Sequence, residues 1–221
     1  IFADTMKINT LDSDKWERIQ NDIIGALDKG EFIHVKGCNG NKTDIKVKMQ
    51  EINNPEKETN FENCIATVNI PVGEVFTSPM LKGTNGLLHL EEIFLDGLKY
   101  INLELLFKDG YIAEYNCSNF DEESKNKKYV EENLLFPNKT LPLGEFAIGT
   151  NTLAYVIAQK HNIVPILPIL IGEKMGPHFA VGDTCYSYSE DERVYNAFDG
   201  KEIIAKDNEK SILRKTDIES A

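Results

Sequence analysis

Residues 100–107 and 111–117 are two runs rich in leucine, isoleucine and tyrosine, broken only by Lys108-Asp-Gly110. Asp-Gly between two such runs signals a hairpin, because both residues tolerate the positive φ that a tight two-residue turn requires. A hairpin commits this part of the chain to antiparallel pairing and excludes an all-helical architecture. Residues 32–35 and 45–49 repeat the pattern around Gly37-Cys-Asn-Gly-Asn41, with Lys46 and Lys48 alternating onto a solvated face.

Helices are expected around these strands. Residues 11–27 carry Trp16, Ile19, Ile23, Ala26 and Leu27 at helical spacing, with Asp12 or Ser13 to cap the start and Gly30 past the end. A charged helix over 121–136 turns Tyr129, Val130 and Leu134 inward, with Ser118 or Asn119 as cap, and Thr150 or Asn151 caps a further helix ending at His161. Residues 64–70, 141–147 and those around Ile203 read as strands, while the state of 81–89 is undecided. Residues 163–171 are apolar but hold Pro165 and Pro168, which argue against both a helix and a central strand. The pattern predicts an α+β fold, an antiparallel-rich sheet with flanking helices, as one domain over residues 1–221.

The formal net charge of −12 disfavours nucleic acid or an anionic membrane as partner. No apolar run approaches the roughly 18 residues of a membrane span, and no charged stretch followed by an apolar one suggests a signal peptide. Cys38, Cys64, Cys117 and Cys185 form no Cys-x-x-Cys. That usage predicts free thiols and a cytoplasmic location rather than disulfides or a thiolate zinc site.

Chemistry concentrates in two related phrases, Pro71-Val-Gly-Glu74-Val-Phe and Pro142-Leu-Gly-Glu145-Phe-Ala. A carboxylate flanked by apolar residues is costly unless a positive group meets it. The pair reads either as two parts of one cation site or as ordinary Pro-x-Gly-Glu turns. A third segment, Glu173-Lys-Met-Gly-Pro-His178, supplies another acid and an imidazole, placed by an irregular turn. Oxygen and imidazole donors together suit zinc, manganese or cobalt. Tyr186 is a candidate donor to a developing oxyanion. The plainer alternatives are a histidine satisfied within the fold, a surface Glu173 beside Lys174, and aromatic packing of Tyr186 with Tyr188 and Tyr195.

Taken together, Ile70-Pro-Val-Gly-Glu74-Val-Phe-Thr-Ser-Pro79, Leu143-Gly-Glu145-Phe-Ala147 and Glu173-x-x-x-x-His178-x-Ala180-x-Gly182 resemble the catalytic segments of the thermophilic aminopeptidase family, in the same order. Asn41-Lys-Thr-Asp-Ile45 resembles the strand preceding the family's first glutamate. The resemblance, running from about residue 10 to about residue 190, implies a dinuclear metallopeptidase that releases amino-terminal residues from peptides. It implies Glu74, Glu145, Glu173 and His178 as ligands of two divalent ions (zinc, cobalt or manganese), with Glu145 bridging. It makes Tyr186 the active-site tyrosine, although Tyr186 falls one residue later after His178 than the family spacing. It also implies a homodimer.

Two departures qualify the match. Nothing in the sequence corresponds to the family's amino-terminal α/β domain, and no His-x-Asp pair occurs to complete the metal site. The expectation is a catalytic-domain fragment with an incomplete second metal position. A non-catalytic relative serving as an interaction module, and another two-metal amidase or esterase, are the competing readings.

Overall fold

The computed structural model of the protein describes residues 2–186 and 191–217. In chain order its helices are α1 (Phe2–Ile8), α2 (Ser13–Leu27), α3 (Glu123–Val130), α4 (Thr152–His161) and the single turn α5 (Ile169–Gly172). Its strands are β1 (Phe32–Lys36), β2 (Asp44–Lys48), β3 (Glu58–Thr59), β4 (Glu62–Cys64), β5 (Glu74–Thr77), β6 (Met80–Leu95), β7 (Leu98–Lys108), β8 (Tyr111–Asn116), β9 (Leu143–Gly149), β10 (Pro177–Val181) and β11 (Glu202–Ile203). They form a five-stranded antiparallel sheet in the order β1-β2-β6-β7-β8 and a four-stranded antiparallel sheet in the order β10-β9-β5-β4. The short pair β3 and β11 is parallel.

Lys108 pairs with Tyr111 across the expected hairpin, and Asp109 and Gly110 both take positive φ (45° and 75°). A second Asp-Gly turn, at Asp96-Gly97, joins β6 to β7 in the same manner, with Leu95 opposite Leu98. The undecided residues 81–89 therefore belong to a long strand. Along β7, Leu103, Leu105 and Phe107 alternate into a core with Ile45, Leu88, Ile112, Val130 and Leu143, the period of a sheet buried on one face.

The α2 helix begins as expected, with Asp12 Oδ1 accepting from the Lys15 N–H at 3.1 Å. Its buried stripe is turned relative to the expected one. Ile19 and Ala26 are exposed, whereas Gln20 and Ile24 are buried and Ile23 and Leu27 pack beside them. Gln20 is buried because its amide is fully used: Nε2 donates to Asn63 Oδ1 (2.6 Å) and Oε1 accepts from the Thr150 hydroxyl (3.0 Å). Those bonds fasten α2 to the four-stranded sheet.

Three other local expectations change. The strand expected over 64–70 stops at Cys64, and Val68 and Ile70 are exposed beyond it. The charged helix starts without a side-chain cap at Glu122, because Asn119 Oδ1 is engaged by the Ile101 N–H instead, and it relaxes into a π-helical turn over Glu131–Leu135. Residues 163–171 form a 3-10 turn at Val164–Ile166 and then α5, leaving Ile166 and Ile169 exposed. Asn151 caps α4, accepting from the Ala154 N–H at 2.9 Å. All four cysteines are free thiols. Among the described residues, no helix is long and apolar enough to cross a membrane.

Candidate metal centre

The four-stranded sheet assembles the site through register. Glu74 pairs with Gly149 and Phe76 with Ala147 across β5 and β9. On the other side of β9, His178 also faces Ala147, and Ala180 faces Glu145. Alternation along a strand then puts Glu74, Glu145 and His178 on one face. The floor between them is Ala147 and Gly149, which have almost no side chain. Val75, Phe146, Ile148 and Phe179 take the opposite face and pack against α2.

The glycine before each glutamate has a specific reason. Gly73 has φ +124°, and a Cβ there would lie 2.8 Å from the Asn151 Cβ. A Cβ on Gly144 would run into the backbone carbonyl of Asp183. Both glycines admit neighbouring protein rather than a ligand, so the two phrases are similar because both strands enter a crowded junction.

One donor atom each from Glu74, Glu145 and His178 fall within 4.8 Å of one another. His178 Nε2 lies 3.2 Å from both Glu74 Oε1 and Glu145 Oε1. Its Nδ1 is 3.2 Å from the Gly176 carbonyl. With Nδ1 turned to that carbonyl, Nε2 is the ring nitrogen left to ligate an ion held between the two carboxylates. Two carboxylate oxygens and one imidazole nitrogen converging on a point suit a borderline divalent ion such as zinc, manganese or cobalt. The simple-turn reading of the two glutamates does not account for this convergence.

Glu173 stands beside the trio rather than in it. Its Oε1 is 2.9 Å from Lys174 Nζ and accepts from Asn69 Nδ2 at 3.3 Å. Burial pushes its carboxyl up, the His178 ring opposes that, and the Glu145 charge adds to it. Lys174, read from sequence as the neighbour of a surface acid, has a side chain with 0% exposure and contacts Glu74 Oε2. Burial lowers its ammonium below the ordinary lysine range.

Tyr186 is 5% exposed and gives its hydroxyl to Glu62 Oε2 at 2.5 Å, with its ring packed on Phe76. Burial, then the Glu62 charge, hold the phenol far above its ordinary value. Glu62 is itself raised by burial, against which the tyrosine bond works. The preceding residue, Cys185, is the one whose Sγ reaches Glu145 Oε2. Burial of that sulfur, and then the Glu145 charge, push the thiol upward, although the residue as a whole reaches solvent. Tyr188 lies outside the described residues. A polar cavity of about 470 Å³ on the five-stranded sheet, lined by Lys42, His89 and Glu104 among others, shares no residue with this centre.

Sequence reasoning missed Lys174, Cys185 and Glu62. The one available signal was an ionisable residue adjoining each candidate, as in Glu173-Lys174 and Cys185-Tyr186.

No curated protein matches the chain in sequence. The family model described as thermophilic metalloprotease (M29) matches residues 3–214, and the chain belongs to that family. Among solved structures, wild-type AmpT from Thermus thermophilus is similar in fold, with a TM-score of 0.53 and 18% identity over 77% of this chain and 41% of that one. The chain thus spans about two fifths of the length of that protein. The antiparallel-rich α+β architecture agrees with the expectation from sequence.

Proposed function

We propose that the protein is a metal-dependent aminopeptidase, with Glu74, Glu145 and His178 holding a divalent ion and Glu173 as a further ligand. The observation that carries this reading is the convergence of the first three within 4.8 Å, on one sheet face of a metalloprotease-family chain. Glu74, Glu145 and His178 would hold the ion, which would supply a water of lowered pKa and polarise the carbonyl to be attacked. The chain's own residues do the rest. Glu74 and Glu145 give negative charge to a face floored by Ala147 and Gly149, which favours the cationic amino terminus of a peptide over an anionic substrate. The Gly176 carbonyl orients the His178 ring. Tyr186 is the proposed hydrogen-bond donor to the developing oxyanion, a role that requires its hydroxyl to exchange Glu62 for substrate.

Metal analysis of the intact protein, with hydrolysis of an amino-acyl anilide in added cobalt or zinc, tests the reading. The expected result is metal uptake with release of the aniline. Uptake without hydrolysis of any amino-acyl substrate, alongside cleavage of simple esters or amides, would move the assignment to another metal-dependent hydrolase.

A further inference from the structure

The two oxygens of Glu74 face different partners. Oε1 points to His178 Nε2 at 3.2 Å, within the donor trio, whereas Oε2 contacts Lys174 Nζ. A second ion beside the trio would reach Glu74 through its other oxygen, Oε2, whichever carboxylate bridges the pair. Here one of the two already meets a cation supplied by the chain. The same ammonium lies 2.9 Å from Glu173 Oε1, so it joins two of the four expected metal-binding carboxylate and imidazole groups.

This cation is built in. The Lys174 side chain has no exposure, and its backbone carbonyl accepts from the Asn151 N–H at 2.8 Å, beside the Gly149 end of β9. A Cβ on Gly149 would strike the backbone of Glu173 and Lys174, so this close approach depends on glycine. Removing a charge from water costs several kcal/mol, and a buried lysine persists only where partners offset that cost. Glu74 and Glu173 are those partners. The charge balance agrees: Glu74, Glu145 and Glu173 are matched by one ammonium and one divalent ion, whereas a second divalent ion would leave the centre net positive.

We propose that Lys174 occupies the second cation position beside Glu74, so that this centre takes one divalent ion per chain rather than two. The proposal rests on the metal-site reading above and sharpens it. Glu173, a further ligand in the reading above, is then instead the counter-charge that holds the ammonium in place.

The test is metal stoichiometry on the intact protein loaded with manganese, read by elemental analysis and by electron paramagnetic resonance. The native protein is expected to bind one ion per chain and to give the signal of an isolated Mn(II). Lys174→Met is expected to rise to two ions per chain with a spin-coupled signal, while Lys174→Arg, which keeps the charge, stays at one. Two ions on the native protein, or one ion on a folded Lys174→Met, would overturn the proposal and leave the metal-site reading intact. No uptake by the native protein would remove both. If Lys174→Met does not fold, the native spectrum still decides, because an isolated ion and a coupled pair differ in line shape.

Discussion

Ala147 stands directly opposite His178 across β9 and β10, and it is this small residue that leaves the imidazole room to turn toward Glu74 and Glu145. Its methyl group has no exposure, and Phe76 pairs with it from the other side. Enlarging it is therefore expected to act on the centre without touching a ligand. Ala147→Leu should cost about 1–3 kcal/mol through overpacking and should displace the His178 ring. Chemical denaturation reads the first effect, and calorimetric titration with zinc should show binding weakened or lost.

Each of the three converging donors is expected to matter for metal uptake. Changing outer partners of metal ligands already costs about 10–100-fold in affinity. Glu145→Gln and His178→Ala are accordingly expected to weaken divalent-ion binding by at least about 10-fold. The native protein at an ion concentration of about 100 times its dissociation constant should gain roughly 2.7 kcal/mol of stability, and a chelator should remove that gain. A melting temperature indifferent to metal and chelator would count against the site.

The Tyr186–Glu62 bond separates a structural from a catalytic tyrosine. Tyr186→Phe leaves the buried Glu62 carboxylate without its hydroxyl donor, an omission expected to cost about 1–3 kcal/mol. If the hydroxyl also meets substrate, kcat for an amino-acyl anilide should fall at temperatures where the variant remains fully folded, with KM little changed. An unaltered kcat would leave Tyr186 a packing residue.

Asp4 ties α1 to α4. Its carboxylate meets Lys160 Nζ at 2.8 Å, His161 Nε2 at 2.9 Å and Lys7 Nζ at 3.1 Å. The Lys160 bond, then those of His161 and Lys7, hold its pKa well below the ordinary carboxylate range. A carboxyl lowered on folding adds stability that is present above its unfolded pKa of about 3.9 and is lost as pH falls through the lower folded value. Asp4→Asn is expected to melt earlier than the native protein at pH 7. The gap should close progressively below about pH 4, and an equal gap at both pH values would show that charge is not its origin.

Local chemistry made much of the fold legible. Asp109-Gly110 announced its hairpin because the backbone conformation it needs is a property of those two residues, and Asp12 and Asn151 announced two helix starts for the same kind of reason. The turn at Asp96-Gly97 carried the same signal and could have been read. The α2 stripe misled because Gln20 counts as polar in a pattern, yet Asn63 and Thr150, remote in sequence, satisfy it in the core.

The candidate centre divides along the same line. The sequence by itself determined the donor types, their order and the family, since Gly-Glu phrases and Glu-x-x-x-x-His are contiguous patterns. Which donors converge was left to the tertiary structure. Strand register sets the face of every side chain, and a slip of one residue would send each to the opposite side. That register brought Glu74, Glu145 and His178 over Ala147, and the turn after β10 gave Tyr186 to Glu62 and set Cys185 beside Glu145. The 3-10 turn before β10 left Lys174 buried between Glu74 and Glu173, because a buried charge goes where its opposite charges are, and only the folded chain puts them there.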